Sequence, residues 1–122
     1  MRVKDAVGRF GENVAARHLE AAGMEILARN WRCREGELDL VVRDGSQLVF
    51  VEVKTRSSLA FGTPAEAVDR AKSRRIRQLA LRWIQVKRDE GATDFWTALR
   101  FDVITVVRGA SGVQVEHLAG VF

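Results

Sequence analysis

Two hydrophobic periods divide the chain. From about Asp5 to Gly23 the apolar positions Val3, Val7, Phe10 and Val14 recur at spacings of three and four, with Ala22 continuing the stripe. That period predicts a helix, and Gly23 supplies its stop. Met24 to Arg32 predicts a first strand with imperfect alternation. From Gly36 to Arg56 the period becomes two on either side of Asp44-Gly45, a hairpin turn signal. In the first run Leu38, Leu40 and Val42 are predicted on one face, and Glu37, Asp39 and Val41 on the other. In the second, Val49, Val51 and Val53 oppose Leu48, Phe50, Glu52 and Lys54.

Thr63-Pro64-Ala65-Glu66 carries the marks of a helix start: a capping threonine, proline at the first position and glutamate at the third. The helix is predicted to run to Asp89-Glu90, with Ala65, Val68, Ala71/Lys72, Ile76, Leu79/Ala80, Trp83 and Val86 on its apolar stripe and Gly91 at its end. Leu99 to Val107 predicts a buried strand, interrupted by Asp102, which needs a partner. Gly109 to Gly112 is a turn and Val113 to Leu118 a last strand. His117 has no acidic motif partner and reads as structural; His18 and Trp31 read as packing residues. The order α-β-β-β-α-β-β predicts an α/β fold: a mixed central sheet of about five strands flanked by helices. At 122 residues this is the size of a single domain, 1–122.

The hairpin brings charge together. A two-residue turn at Asp44-Gly45 sets Glu37 opposite Glu52 and Asp39 opposite Phe50. A four-residue loop from Asp44 to Gln47 sets Asp39 opposite Glu52 and Glu37 opposite Lys54. Both registers keep Asp39, Glu52 and Lys54 on one face; an odd loop would separate them. Opposed carboxylates destabilise a strand pair, and carboxylates in a partly apolar setting resist ionising. Lys54 neutralises only one. A divalent cation held by Asp39, Glu52 and a backbone carbonyl resolves the conflict, and Mg²⁺ suits one or two carboxylates with retained waters.

Net charge is +4, but Arg70, Lys72, Arg74, Arg75, Arg77, Arg82, Lys87 and Arg88 follow one another with no acid between them, so the rest of the chain is acidic. A basic helix beside a carboxylate cluster suits a polyanion; a solvated helix face is the plainer alternative. Gln78, on the same helix, is placed to reach a nucleic-acid backbone or base edge, and Arg56 ends the lysine-bearing strand. Glu12 lies at the edge of the first helix's stripe among Gly8, Ala15 and Ala16, and glycines at 8 and 11 suggest close approach by a strand or a substrate. Cys33 is the only cysteine, which leaves no internal disulfide or thiolate zinc site. No apolar run is long enough for a membrane span and the N-terminus lacks a signal-peptide core, so a cytoplasmic location is expected.

The order of elements, with Asp39 on one strand and Glu52-Val53-Lys54 on the next, resembles the PD-(D/E)xK nuclease superfamily, the restriction-endonuclease-like three-layer fold. Gly11-Glu12 with Ala15-Ala16, Ile26 to Trp31, Gly36 to Leu40, Val51 to Arg56 and Arg100 to Val103 are together more similar still to the YraN-like family of small bacterial predicted nucleases. Leu38 stands where the superfamily name has proline. The resemblance implies metal-dependent hydrolysis of nucleic-acid phosphodiesters and a distant likeness to archaeal Holliday-junction resolvases, hence branched DNA as a substrate and a homodimer as an assembly. By position, Asp39 and Glu52 match metal-binding carboxylates for Mg²⁺ or Mn²⁺, Lys54 the superfamily lysine, and Glu12 the helix glutamate of the resolvase-like branch. Arg70, Lys72, Arg74, Arg75, Arg77, Gln78 and Arg56 are then the nucleic-acid contacts. Two other readings compete: a nucleic-acid-binding or adaptor module without turnover, and a structural cluster in which Lys54 bridges Glu52 and Glu37.

Overall fold

The computed structural model describes residues 3–56 and 68–122. Its elements are α1 (Val3–Ala21), β1 (Glu25–Cys33), β2 (Gly36–Asp44), β3 (Gln47–Arg56), α2 (Arg70–Asp89), β4 (Ala98–Gly109) and β5 (Gly112–Leu118). The strands form one five-stranded sheet in the order β1-β2-β3-β4-β5. β3 and β4 run parallel, as the α2 crossover between them requires, and the other neighbours are antiparallel. This is the mixed α/β arrangement and element order that the periodicity predicted.

The helices cover opposite faces. Ala15, Ala16 and Leu19 of α1 pack over Leu40, Val42, Val49, Val51, Ile104 and Val106. Ile76, Leu79, Ala80, Trp83 and Ile84 of α2 pack over Val41, Leu48, Phe50 and Phe101. β3 divides as predicted, with Leu48 and Phe50 under α2 and Val49, Val51 and Val53 under α1. Trp31 packs at the rim of the α2 cluster.

α1 turns inward a face rotated from the one its large apolar residues predicted: Phe10 and Val14 pack at the edge of the core, not at its centre. Val7 is 42% exposed, whereas Gly11, Ala15 and Ala16 are buried. The reason is the distance of approach: a Cβ on Gly11 would lie 1.7 Å from Thr55 Oγ1 on β3. Only the small-residue side of the helix can come that close. Gly8 meets no such neighbour among the described residues.

α2 begins later than predicted. Asp69 is its N-cap, in extended conformation, and accepts the Lys72 N–H at 2.8 Å, so Val68 precedes the helix. The Thr63-Pro64-Ala65-Glu66 signal lies outside the described residues. Gly91, at φ 92°, follows the C-cap Glu90, in keeping with the predicted stop.

Asp102, fully buried on β4, finds the partner it needed. Arg100 donates to both of its oxygens at 3.0 Å, the Gly120 N–H adds a bond at 2.9 Å, and His117 Nε2 lies 2.7 Å from Oδ2. His117 therefore does have an acidic partner. It was hidden in the sequence because β4 and β5 bring the two residues together only through pairing of Val103 with Leu118. His18 packs edge-on against the His117 ring, with centroids 5.7 Å apart.

Candidate active site

The site grows out of a fault in the hairpin. β2 and β3 pair from Asp44 with Gln47 to Leu40 with Val51, around a two-residue Gly45–Ser46 turn in which Gly45 takes φ 59°. Continued by one step, this register sets Asp39 against Glu52, the second of the two expected registers. The regular ladder stops just short of that step. Asp39 Oδ2 instead accepts the Val53 N–H at 2.9 Å, so a side chain replaces a main-chain carbonyl.

β1 is irregular at the same level. Asn30, between the pairs Arg29–Leu40 and Trp31–Leu38, has φ 50°, a conformation that asparagine tolerates better than most residues. Alternation along β2 changes here as well. Leu38 joins Val41 on the α2 face, rather than Leu40 and Val42 on the α1 face where strict alternation had placed it. The two irregular strands thus set Asp39 at a break in the sheet, where it meets groups from both layers.

From β3 comes Glu52, whose side chain is 11% exposed. Its Oε1 takes two ammonium groups: Lys54 Nζ at 3.6 Å and Lys72 Nζ at 2.6 Å. Lys72 belongs to the first turn of α2. Basic groups there oppose the helix dipole, and α2 has no acid in that turn to offset them. From α1 comes Glu12, half-buried and carried toward the site by the Gly11–Thr55 approach. A hydrogen bond from Arg29 of β1 to the Asn13 side chain ties the same helix turn to the sheet.

The electrostatics record a crowded pair of carboxylates. Asp39 is pushed up to about 7 from an ordinary value of 3.8. Burial is the largest cause, followed by the charge of Glu52; the Val53 N–H opposes them, and the charge of Glu12 adds to the rise. Lys54 is held below its ordinary range by burial and by the neighbouring Lys72 ammonium. For Lys72 burial also acts downward, but its bond to Glu52 and the surrounding negative charge carry the net shift upward.

A cavity of about 280 Å³ opens over this cluster, lined by Glu37, Asp39, Glu52, Lys72 and Arg75 with Gly36, Ile76 and Leu79 at its edge. Glu37 pairs with Arg32 at 3.1 Å, not with Lys54. Among the described residues no three acidic, histidine or cysteine side chains stand close enough to enclose a metal ion. Two carboxylates do meet, and their chemistry fits a hard cation: oxygen donors, one of which resists ionising because it is buried beside a second carboxylate. Asp39 and Glu52 are the ligands such a cation would take, with Glu12 acting on the same charge balance from α1.

The basic residues of α2 do not act as one group. Lys72 and Arg75 line the carboxylate cavity, and Gln78 adjoins it with Arg75, Arg82 and Glu35. Arg70, Arg74 and Arg77 flank the buried stripe on its other side, where with Phe122 they line a larger groove of about 460 Å³. Arg77 is engaged there: it donates to the Phe122 carbonyl at 2.8 Å and lies 4.5 Å over the Phe101 ring. Arg56 ends β3, half-buried. Sequence pattern placed Lys72 among phosphate contacts but gave no sign of its hold on Glu52. Which way the helix faces follows the predicted stripe, on which Ile76, Leu79, Ala80 and Trp83 are buried and Lys72 lies one turn before Ile76; what the stripe does not give is the carboxylate that Lys72 meets.

Residues 11–106 match the family model described as "Uncharacterised protein family UPF0102". A UPF0102 protein of Frankia casuarinae is 58% identical over 123 aligned positions that cover 100% of both chains. One from Beutenbergia cavernae is 58% identical over 99% of each chain. Another, from Acidothermus cellulolyticus, is 50% identical over 98% of this chain and 95% of its own. Glu12, Asp39, Glu52, Lys54 and Lys72 all fall within the matched span, and by that match and those identities the chain belongs to the UPF0102 family.

Proposed function

We propose that this UPF0102 protein is a divalent-cation-dependent nuclease that hydrolyses phosphodiester bonds in nucleic acid, DNA being the first substrate to test. The observation that carries the reading is the Asp39–Glu52 pair: two carboxylates brought together at a break in the sheet, one of them with its pKa pushed up to about 7. Facing carboxylates oppose one another in a fold, and a carboxylate perturbed by burial and a specific charged neighbour in a cleft is a functional-site candidate. The resemblance to PD-(D/E)xK nucleases names the same residues.

Asp39 and Glu52 would hold Mg²⁺ or Mn²⁺, with Glu12 completing the negative charge directly or through water. When bound, the ion supplies Lewis-acid polarisation of a phosphoryl oxygen and a water of lowered pKa. Lys54, on the strand position after next from Glu52, is placed to orient that water or to offset charge developing on the phosphate. Arg75 borders the cavity and suits a flanking phosphate, which positions the chain without reading its bases. The Val53 N–H fixes the orientation of the Asp39 carboxylate through the bond it donates. A binding module without turnover has no evident reason to keep Asp39, Glu52 and Lys54 together, and that weighs for hydrolysis.

Purified protein incubated with branched, duplex and single-stranded DNA and RNA tests this. Cleavage is expected with Mg²⁺ or Mn²⁺, abolished by a chelator, and reduced at least about 100-fold in Asp39→Ala and Lys54→Ala. Inertness on the whole panel, or full activity in those variants, overturns it.

A further inference from the structure

We infer that Lys72 is a tethered stand-in for the catalytic cation: its ammonium holds Glu52 in the metal-free chain and passes to a substrate phosphate when the metal binds. The inference rests on the nuclease reading above and gives that site a device beyond it.

Geometry is the first support. Two lysines share Glu52 Oε1, but Lys72 holds it at 2.6 Å and Lys54 only at 3.6 Å. The tighter ammonium comes from another layer of the fold, not from the strand that carries the carboxylate. Its main chain is fixed, because the Lys72 N–H is bound by the Asp69 cap at 2.8 Å. Release therefore needs no movement of α2. A four-carbon stem pivots, and a compact ammonium on a flexible stem is suited to that in a way the rigid guanidinium fork is not. The side chain is 30% exposed and borders the cavity, so its path outward is open.

Charge is the second support. Asp39, Glu52 and Glu12 carry three negative charges when ionised, and Lys54 and Lys72 two positive ones. A divalent ion added to that set overshoots neutrality by one positive charge, the charge that Lys72 carries. With Lys72 withdrawn, cation and carboxylates balance. Arg75 lines the same wall one turn further along α2, so the freed ammonium joins a guanidinium at the place where a phosphate would lie.

Calorimetric titration of the free chain with Mn²⁺ reads the first half of the device, in wild type, Lys72→Met and Arg75→Met. Lys72→Met is expected to bind Mn²⁺ about tenfold more tightly than wild type, and Arg75→Met within about twofold, since of these two residues Lys72 is the one that pairs with Glu52. Lys72→Gln must change affinity in the same direction, which guards against misfolding of the methionine variant. The second half is read by affinity for a short DNA duplex with and without Ca²⁺. Wild type is expected to gain several-fold on adding the cation, and Lys72→Met to lose most of that gain while its Mn²⁺ affinity rises. Equal effects of Lys72→Met and Arg75→Met on Mn²⁺ binding would reduce Lys72 to bulk charge and overturn the stand-in, while the nuclease reading survives if wild type binds Mn²⁺ and cleaves. A wild-type chain that neither binds Mn²⁺ nor cleaves sinks both.

Discussion

Asp39 and Asp102 lie in the same sheet, the first half-buried and the second fully buried, and their surroundings differ in kind. Asp102 has no exposed surface, yet a guanidinium, a ring nitrogen and a main-chain N–H surround it. Asp39 has one main-chain N–H and faces a second carboxylate. Burying a charge is tolerable when a partner and hydrogen bonds come with it. Asp102 meets that condition and fastens the chain end, through Gly120, to the sheet. Asp39 does not meet it, and the fold keeps it all the same. On the nuclease reading proposed above, the contrast separates a carboxylate that holds the structure from one that is kept for chemistry.

The largest effect expected from breaking the comparison is at Asp102. Asp102→Ala leaves Arg100 partly buried with only Asp44 and Gln47 to bond, and about 3–5 kcal/mol of stability should be lost, measured by urea denaturation. A loss below about 1 kcal/mol would mean that the network is not structural.

At Asp39 the sign reverses. Its folded pKa lies near 7 and its unfolded value near 3.8. Below the lower value both states hold the proton. Between the two, the unfolded chain has released it and the folded chain has not, so stability falls as pH rises through this window and levels off above it. Asp39→Asn removes that dependence. It should be about 2–4 kcal/mol more stable than wild type near pH 8 without metal, and no different near pH 4. Added Mn²⁺ should raise the melting temperature of wild type near pH 8 and leave Asp39→Asn unmoved. A flat pH profile in wild type, or destabilisation by Asp39→Asn at every pH, removes the contrast with Asp102.

Gly11→Ala probes how the third acid is brought in. The added methyl would fall 1.7 Å from Thr55 Oγ1, and overpacking of this kind costs about 1–3 kcal/mol. Because α1 must lift away from β3, cleavage should fall along with stability, and a second change, Thr55→Ala, should restore part of both. Undiminished cleavage in Gly11→Ala would show that Glu12 is not needed at the site.

These tests turn on features that the sequence disclosed unequally. Asp39, Glu52 and Lys54 could be brought together in advance because the strand period is two and either even-length turn keeps them on one face. The hairpin, the α2 crossover and the buried β4 followed from patterns of equal strength. The break at Asn30 and Asp39 is not legible, since alternation assumes a regular ladder and so predicts Leu38 on the α1 face, whereas it packs under α2. α1 was legible in part: the small residues around Glu12 signal the close approach of a strand, met at Gly11 and Thr55, but the stripe of large residues centres the buried face on Val7 and not on Ala15 and Ala16. Lys72's hold on Glu52 depends on the rotation of α2 about its axis, which Ile76, Leu79 and Trp83 set through packing.

That rotation gives the finest test. Arg75 borders the carboxylate cavity, and Arg74, its neighbour in sequence, lies in the groove beside Phe122. A phosphate backbone that runs over the site meets the first and misses the second. Arg75→Gln should weaken DNA binding a few-fold and lower the slope of log affinity against log salt by about 1, the signature of one lost phosphate contact. Arg74→Gln should change neither. Both variants keep the same helix and lose the same charge, so a difference between them reports position alone. The reverse outcome, with Arg74 carrying the contact, would move the nucleic-acid track to the groove of Arg70, Arg74 and Phe122 and leave the Asp39–Glu52 pair without a substrate within reach.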